Sequence, residues 1–164
     1  MGKASRRKLH SRMKASEAVT KNQLKAWGID VPLLSSNNLP QEQKISNAIS
    51  EILDAEINEH ASLEDYRACV NSIVMAWNMT LMPPELQEKQ FKALETYVCS
   101  HSKGDVEKDL ASVLALVRRL MQQKETLFPD DKRFIVSHDC QFISGKVHIT
   151  AAALTAPNQP VPES

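Results

Sequence analysis

Glycine is scarce in this chain. There are four in 164 residues, at positions 2, 28, 104 and 145, and no two lie close together. A loop that cradles phosphate needs several glycines at short fixed spacing, so that backbone N–H groups can approach the anion. Walker and dinucleotide-binding motifs are therefore excluded. Beyond the terminal Gly2, each glycine already has a local post: Gly28 ends a helix, Gly104 joins two helices and Gly145 turns a hairpin. Long hydrophobic runs are also missing. The longest apolar-rich stretch, 110–121, is broken by Ser112, Arg118 and Arg119, so no membrane span is expected. The N-terminal residues carry no apolar core of a secretory signal, and Arg6 stands where a myristoylation pattern wants Ser or Thr. Cysteine is limited to Cys69, Cys99 and Cys140, an odd and widely spaced set. A secreted scaffold shows an even and denser set, so the composition points to a reducing compartment and the cytoplasm. Nucleophile elbows, zinc-protease helices and calcium loops are absent as well.

Charge is present in balance, but it is unevenly placed. Residues 1–25 hold eight Lys or Arg against the single acid Glu17, a net +7, and the other 139 residues hold twelve bases against nineteen acids, a net −7. The basic arm is the segment that most invites a function. Arg6, Arg7, Lys8, Arg12 and Lys14 can neutralise several phosphates, and such arms fold on RNA. No aromatic residue precedes Trp27, however, so base stacking has little to work with. The arm is equally suited to the acidic body of its own chain.

Hydrophobic spacing gives the architecture. A short helix is predicted over 16–27, followed by a polar linker through Asn38. A first long helix is expected from Pro40 to about His60, with Ile45, Ala48, Ile49, Ile52 and Leu53 on one stripe. Ser62 and Asp65 form a variant capping box for the second, whose inner face carries Leu63, Tyr66, Val70, Ile73, Val74, Trp77 and Leu81. Pro84 opens a third, to about Ser100, with Leu86, Leu94, Tyr97 and Val98 inward. The fourth, 105–128, shows the clearest stripe, running from Val106 to Met121.

After Pro129 the period changes from helical to two-residue. Ser144–Gly145 turns the chain, pairing Ile143 with Lys146, Phe142 with Val147 and Cys140 with Ile149, so that one apolar face results. A lone hairpin is marginal, so this face is expected to pack on the helices or the edge to pair with a second copy. The fold class is therefore mainly α: a bundle of about four main helices with a C-terminal β-hairpin packed on it. The expected layout is an arm and linker over 1–38, a helical domain over 39–155 with its hairpin at 132–155, and a disordered tail over 156–164.

Few constellations carry chemistry. Cys99, His101, His138 and Cys140 are two thiols and two imidazoles, which suit zinc, but each pair is spaced by one residue rather than the usual two to four. They are better read as structural residues, and no metal or other cofactor is expected. The acids Glu42, Glu51, Asp54, Glu56, Glu59, Glu64 and Asp65 lack the Glu-x-x-His spacing of a carboxylate-bridged metal site and read as a solvated face. Asp130 and Asp131 read as turn chemistry. Met75, Met79 and Met82 lie opposite the inner face of the second helix, which makes that helix either central or shared with a partner. The favoured function is a non-enzymatic protein-interaction or adaptor domain, self-associating as a homodimer. The first alternative is an RNA- or ribosome-associated factor docking through residues 3–25; the second is a zinc- or cysteine-dependent enzyme.

Overall fold

The computed structural model describes residues 44–58 and 60–155, with Asn22, Lys25 and the backbone of Leu34–Ser35. The basic arm, most of the linker and the tail from 156 lie outside the described residues. Within the helix expected over 16–27, Asn22 and Lys25 are helical and exposed. Four long helices follow: α1 (Ile45–Glu56), α2 (Leu63–Thr80), α3 (Pro84–His101) and α4 (Val106–Leu127). Three strands complete the described structure: β1 (Leu34–Ser35), β2 (Phe134–Ile143) and β3 (Lys146–Thr155). The helices and the C-terminal hairpin are those the spacing predicts. Described residues fall into two compact units, one holding 44–50 with 131–155 and the other Glu51–Asp130.

Local chemistry sets the helix boundaries. The first helix is shorter than expected at both ends. Lys44 lies outside it, and beyond Glu56 the side chain of Asn58 accepts the N–H of His60 at 2.9 Å, an Asx turn that competes with further helix. Its predicted stripe holds, since Ile45, Ala48, Ile49, Ile52 and Leu53 are all buried. At the start of α2, Ser62 Oγ accepts the Asp65 N–H while Asp65 accepts the Ser62 N–H, a reciprocal box that satisfies two otherwise orphan donors. Pro84 sits at the first position of α3, and Asp105 caps α4 by accepting the Lys108 N–H. Gly104 fills the α3–α4 turn without needing glycine's freedom, because an added Cβ there meets nothing within 4 Å.

α4 packs against both α2 and α3. The buried centre of the unit is Val70, Ile73, Val74 and Trp77 of α2 with Val117 and Leu120 of α4. Trp77 is its largest member, and Phe128 lies against it at 5.6 Å between ring centroids. Lys124, beyond the last residue of the stripe, is also fully buried, with its ammonium 5.3 Å from the centre of the Trp77 ring. Helix α3 contributes less than expected. Of Leu86, Leu94, Tyr97 and Val98 only Val98 is buried, and Tyr97 is 60% exposed, stacked on His101 one turn further on.

In the sheet unit the strand order is β1-β3-β2, all antiparallel. The predicted hairpin register is the observed one: Ile143 pairs with Lys146, Phe142 with Val147 and Cys140 with Ile149. Ser144 and Gly145 both have positive φ, 52° and 76°, the conformation of a two-residue type I′ turn. Two features differ from expectation. A bulge between Ile135 and Ser137 breaks the strict alternation of β2, and Ile135 is buried while its neighbour Phe134 is half-buried. The segment expected as linker supplies β1, where Ser35 pairs with Leu154 and Leu34 with Thr155. Ala152, Ala153 and Leu154 are consecutively buried, which a strand achieves only when both of its faces are covered.

The core location yields a stability prediction. Trp77→Ala is expected to lower unfolding stability by roughly 3–5 kcal/mol, because the vacated volume cannot collapse fully around α4. Ser62→Ala should cost much less. Denaturant titration with both variants checks the ranking, and equal losses would place the centre of the unit elsewhere.

Candidate functional site

Among the described residues, a polar cluster of three side chains joins the end of α1 to α4. Arg119 and Gln123 lie one turn apart on α4 and both reach Glu56. The Glu56 carboxylate accepts from Arg119 Nε at 3.1 Å, Arg119 Nη2 at 2.6 Å and Gln123 Nε2 at 2.7 Å. Its side chain is only 8% exposed, so this acid is not part of the solvated face on which Glu51, Asp54 and Glu64 stand. The Arg119 hydrogen bond holds the Glu56 carboxyl below its ordinary range against the opposing effect of burial. Gln123 Oε1 is buried with no hydrogen-bond partner among the described residues. Beside this cluster stands Cys69, half-buried. Burial and then the negative charge of Glu56 push its thiol up, with Arg119 acting weakly in the other direction. The thiolate is thus disfavoured, the opposite of what a nucleophile requires. The cluster is built to clamp helices.

A second ion pair lies in the sheet unit. Asp131 and Arg133 are both buried, and the guanidinium meets the carboxylate through Nε at 2.9 and 3.0 Å and through Nη2, while the Arg133 N–H also donates to Asp131 Oδ1 at 3.0 Å. Asp131 is therefore more than a turn former. It fixes the approach to β2 by neutralising a buried arginine two residues on.

The sequence-predicted site residues belong to different units. His138 and Cys140 belong to β2 in the sheet unit; Cys99 and His101 belong to the last turn of α3 in the helical unit, both exposed. His101 Nδ1 lies 2.9 Å from the Tyr97 carbonyl oxygen. Among the described residues no three His, Cys, Asp or Glu side chains group as metal ligands. Met79, on the face read above as either central or shared with a partner, is 1% exposed and lies in the core. Met75 and Met82 are half-buried. Arg6, Arg7, Lys8, Arg12 and Lys14 lie outside the described residues. No helix among the described residues is long and apolar enough to cross a membrane.

The end of the hairpin has a different character. Phe142 and Ile143, adjacent and hence on opposite faces, are 45% and 47% exposed. Behind them Val147 and Ile149 are half-exposed. Sequence reading placed these residues in the right register but assigned Phe142 to a covered face; their exposure is decided by what lies over the sheet, which alternation does not encode. No family model matches the chain, and neither the curated proteins nor the solved structures give a match.

These environments predict reactivity and pH response. Alkylation under native conditions should be fastest at Cys99, slower at Cys69 and slowest at Cys140, in line with their exposed, half-buried and buried positions. Rapid modification of Cys69 at neutral pH would contradict its raised thiol pKa. Burial lowers the His138 pKa below 6.5, with Asp139 acting weakly against it. The unfolded chain therefore takes up its proton first, and stability is lost as the pH falls from 6.5 through the lowered value. The Glu56 contribution is complete above 4.5 and is lost as pH falls through its own lowered value. Thermal melts across this range should show two components, the upper one flattened by His138→Gln and the lower one by Glu56→Gln.

Proposed function

We propose that the chain is a protein-interaction domain that works by association, including association with its own copies, and not by catalysis. The observation that carries this reading is the apolar hairpin end, where Phe142 and Ile143 are exposed on both faces of the sheet. The strongest polar interactions give it further support, because Glu56–Arg119, Asp131–Arg133 and Ser62–Asp65 each serve a local structural purpose. Three thiols with no disulfide among them suit a reducing compartment. Light scattering after size exclusion, over a wide concentration range, is expected to show a reversible dimer; a strict monomer at the highest concentration removes the self-association.

A second reading rests on charge. Residues 51–130 carry eight bases against fourteen acids, a net −6, whereas the arm holds +7. An acidic helical unit repels a polyanion, so any nucleic acid is bound by the arm alone. RNA binding should then weaken steeply with salt, and deleting residues 1–15 should abolish it, because each neutralised phosphate adds to the salt slope. Binding that survives the deletion unchanged refutes a role for the arm.

A further inference from the structure

Among the described residues, the outer edge of β3 is left open over a stretch whose length and register fit one occupant, a second copy of the same stretch. The closing pair of a two-residue hairpin, here Ile143 and Lys146, points its backbone groups at each other. Parity then aims the backbone N–H and C=O of Val147, Ile149 and Ala151 away from β2. Among the described residues, only β1 pairs with this side of β3, at Leu154 and Thr155. On β2 the situation is different. The residues whose backbones point outward there, His138, Cys140 and Phe142, each already make a further interaction.

The open stretch of β3 therefore runs from Lys146, next to the turn, to Ala152, before the ground held by β1. Its midpoint is Ile149. A two-fold axis through Ile149 sets Ile149 against Ile149 of the second copy, Val147 against Ala151 and Lys146 against Ala152. This alignment pairs outward-facing backbones with outward-facing backbones, as an antiparallel ladder requires. It uses the whole open stretch, and the turn of one copy reaches the second copy just short of β1. No like charges are opposed, since the stretch holds only one formal charge, Lys146, and that lies opposite an alanine. The half-exposed faces of Val147, Ile149 and Ala151 become continuous with their counterparts.

Resting on the self-association proposed above, we infer that the chain dimerises by joining the β3 edges of two copies into one continuous antiparallel sheet centred on Ile149. Such an isologous contact closes on itself and consumes the exposed edge that would otherwise invite aggregation. Ile149→Pro is the selective probe. The N–H it removes faces away from β2, so the hairpin's own ladder keeps its bonds, while the dimer loses two symmetry-related hydrogen bonds and gains a clash.

The experiment has two arms. By sedimentation equilibrium, Ile149→Pro is expected to raise the dimer dissociation constant by more than about tenfold, with circular dichroism reporting retained fold. In the second arm, Cys99→Ser/His148→Cys is mixed with Cys99→Ser/Thr150→Cys under mild oxidation. Residues 148 and 150 of opposite copies form a non-hydrogen-bonded pair, close enough for a disulfide, so the mixture should yield a cross-linked heterodimer. Neither variant alone should cross-link, because the two like positions are offset along the strands. If the proline variant unfolds, the cysteine pair still decides the matter. A wild-type dimer that neither responds to Ile149→Pro nor cross-links in the mixture overturns this interface while leaving self-association standing. A wild-type monomer at every concentration overturns both.

Discussion

The direction in which β3 aims its backbone is settled at one place, the Ser144–Gly145 turn. Both residues hold positive φ, and the type I′ geometry that results fits the natural twist of the strands it joins. A one-residue slip in that turn would exchange every inward backbone group of β3 for an outward one and leave Cys140 and Ile149 on opposite faces. The buried positions of the sheet, the place left for β1 and the open stretch up to Ala152 all follow from it. Gly145 is the one described glycine whose conformation demands its residue type.

The helical unit depends on a different kind of constraint. Its centre is an aromatic, Trp77, flanked by an aliphatic group from α2 and α4 and covered by the stem and ammonium of Lys124. The polar clamp of Glu56 with Arg119 and Gln123 ties the end of α1 to the outer turns of α4, and Arg118 reaches over the Phe91 ring at 5.5 Å to hold α3. Consecutive arginines on α4 thus reach different helices, one to a carboxylate of α1 and one to an aromatic face of α3. Such links fix geometry more than they add stability, because the Arg119 side chain remains more than half exposed.

Much of this was legible in the sequence, for reasons that differ between elements. Helices α2, α3 and α4 announce themselves through caps and prolines that act within a few residues, and the hairpin register follows from one turn and strict alternation. What escaped notice depends on distant partners. Leu34–Ser35 lacks any strand signal of its own and becomes a strand only because β3 offers it an edge. Lys124 reads as a solvent residue until Trp77 covers it, and Glu56 reads as one more surface acid until Arg119 reaches it across 63 positions of sequence. The bulge at Val136 has no signature in alternation, which carries on through it as if the ladder were regular. Of the methionines on the second helix, Met79 is buried while Met75 and Met82 are half-buried, a difference the helical period does not encode, because period alone cannot tell a helix covered on several sides from one that awaits a partner.

Amide hydrogen exchange along β3, read residue by residue by NMR at low and high protein concentration, tests the central claim most directly. In dilute solution the amides of His148, Thr150 and Ala152 should be protected and those of Val147, Ile149 and Ala151 should exchange freely, the alternation imposed by the turn. At high concentration the second set should become protected as well, as the two edges join. Protection at Val147, Ile149 and Ala151 that is already complete in dilute solution, or exchange there that concentration leaves unchanged, would contradict the account.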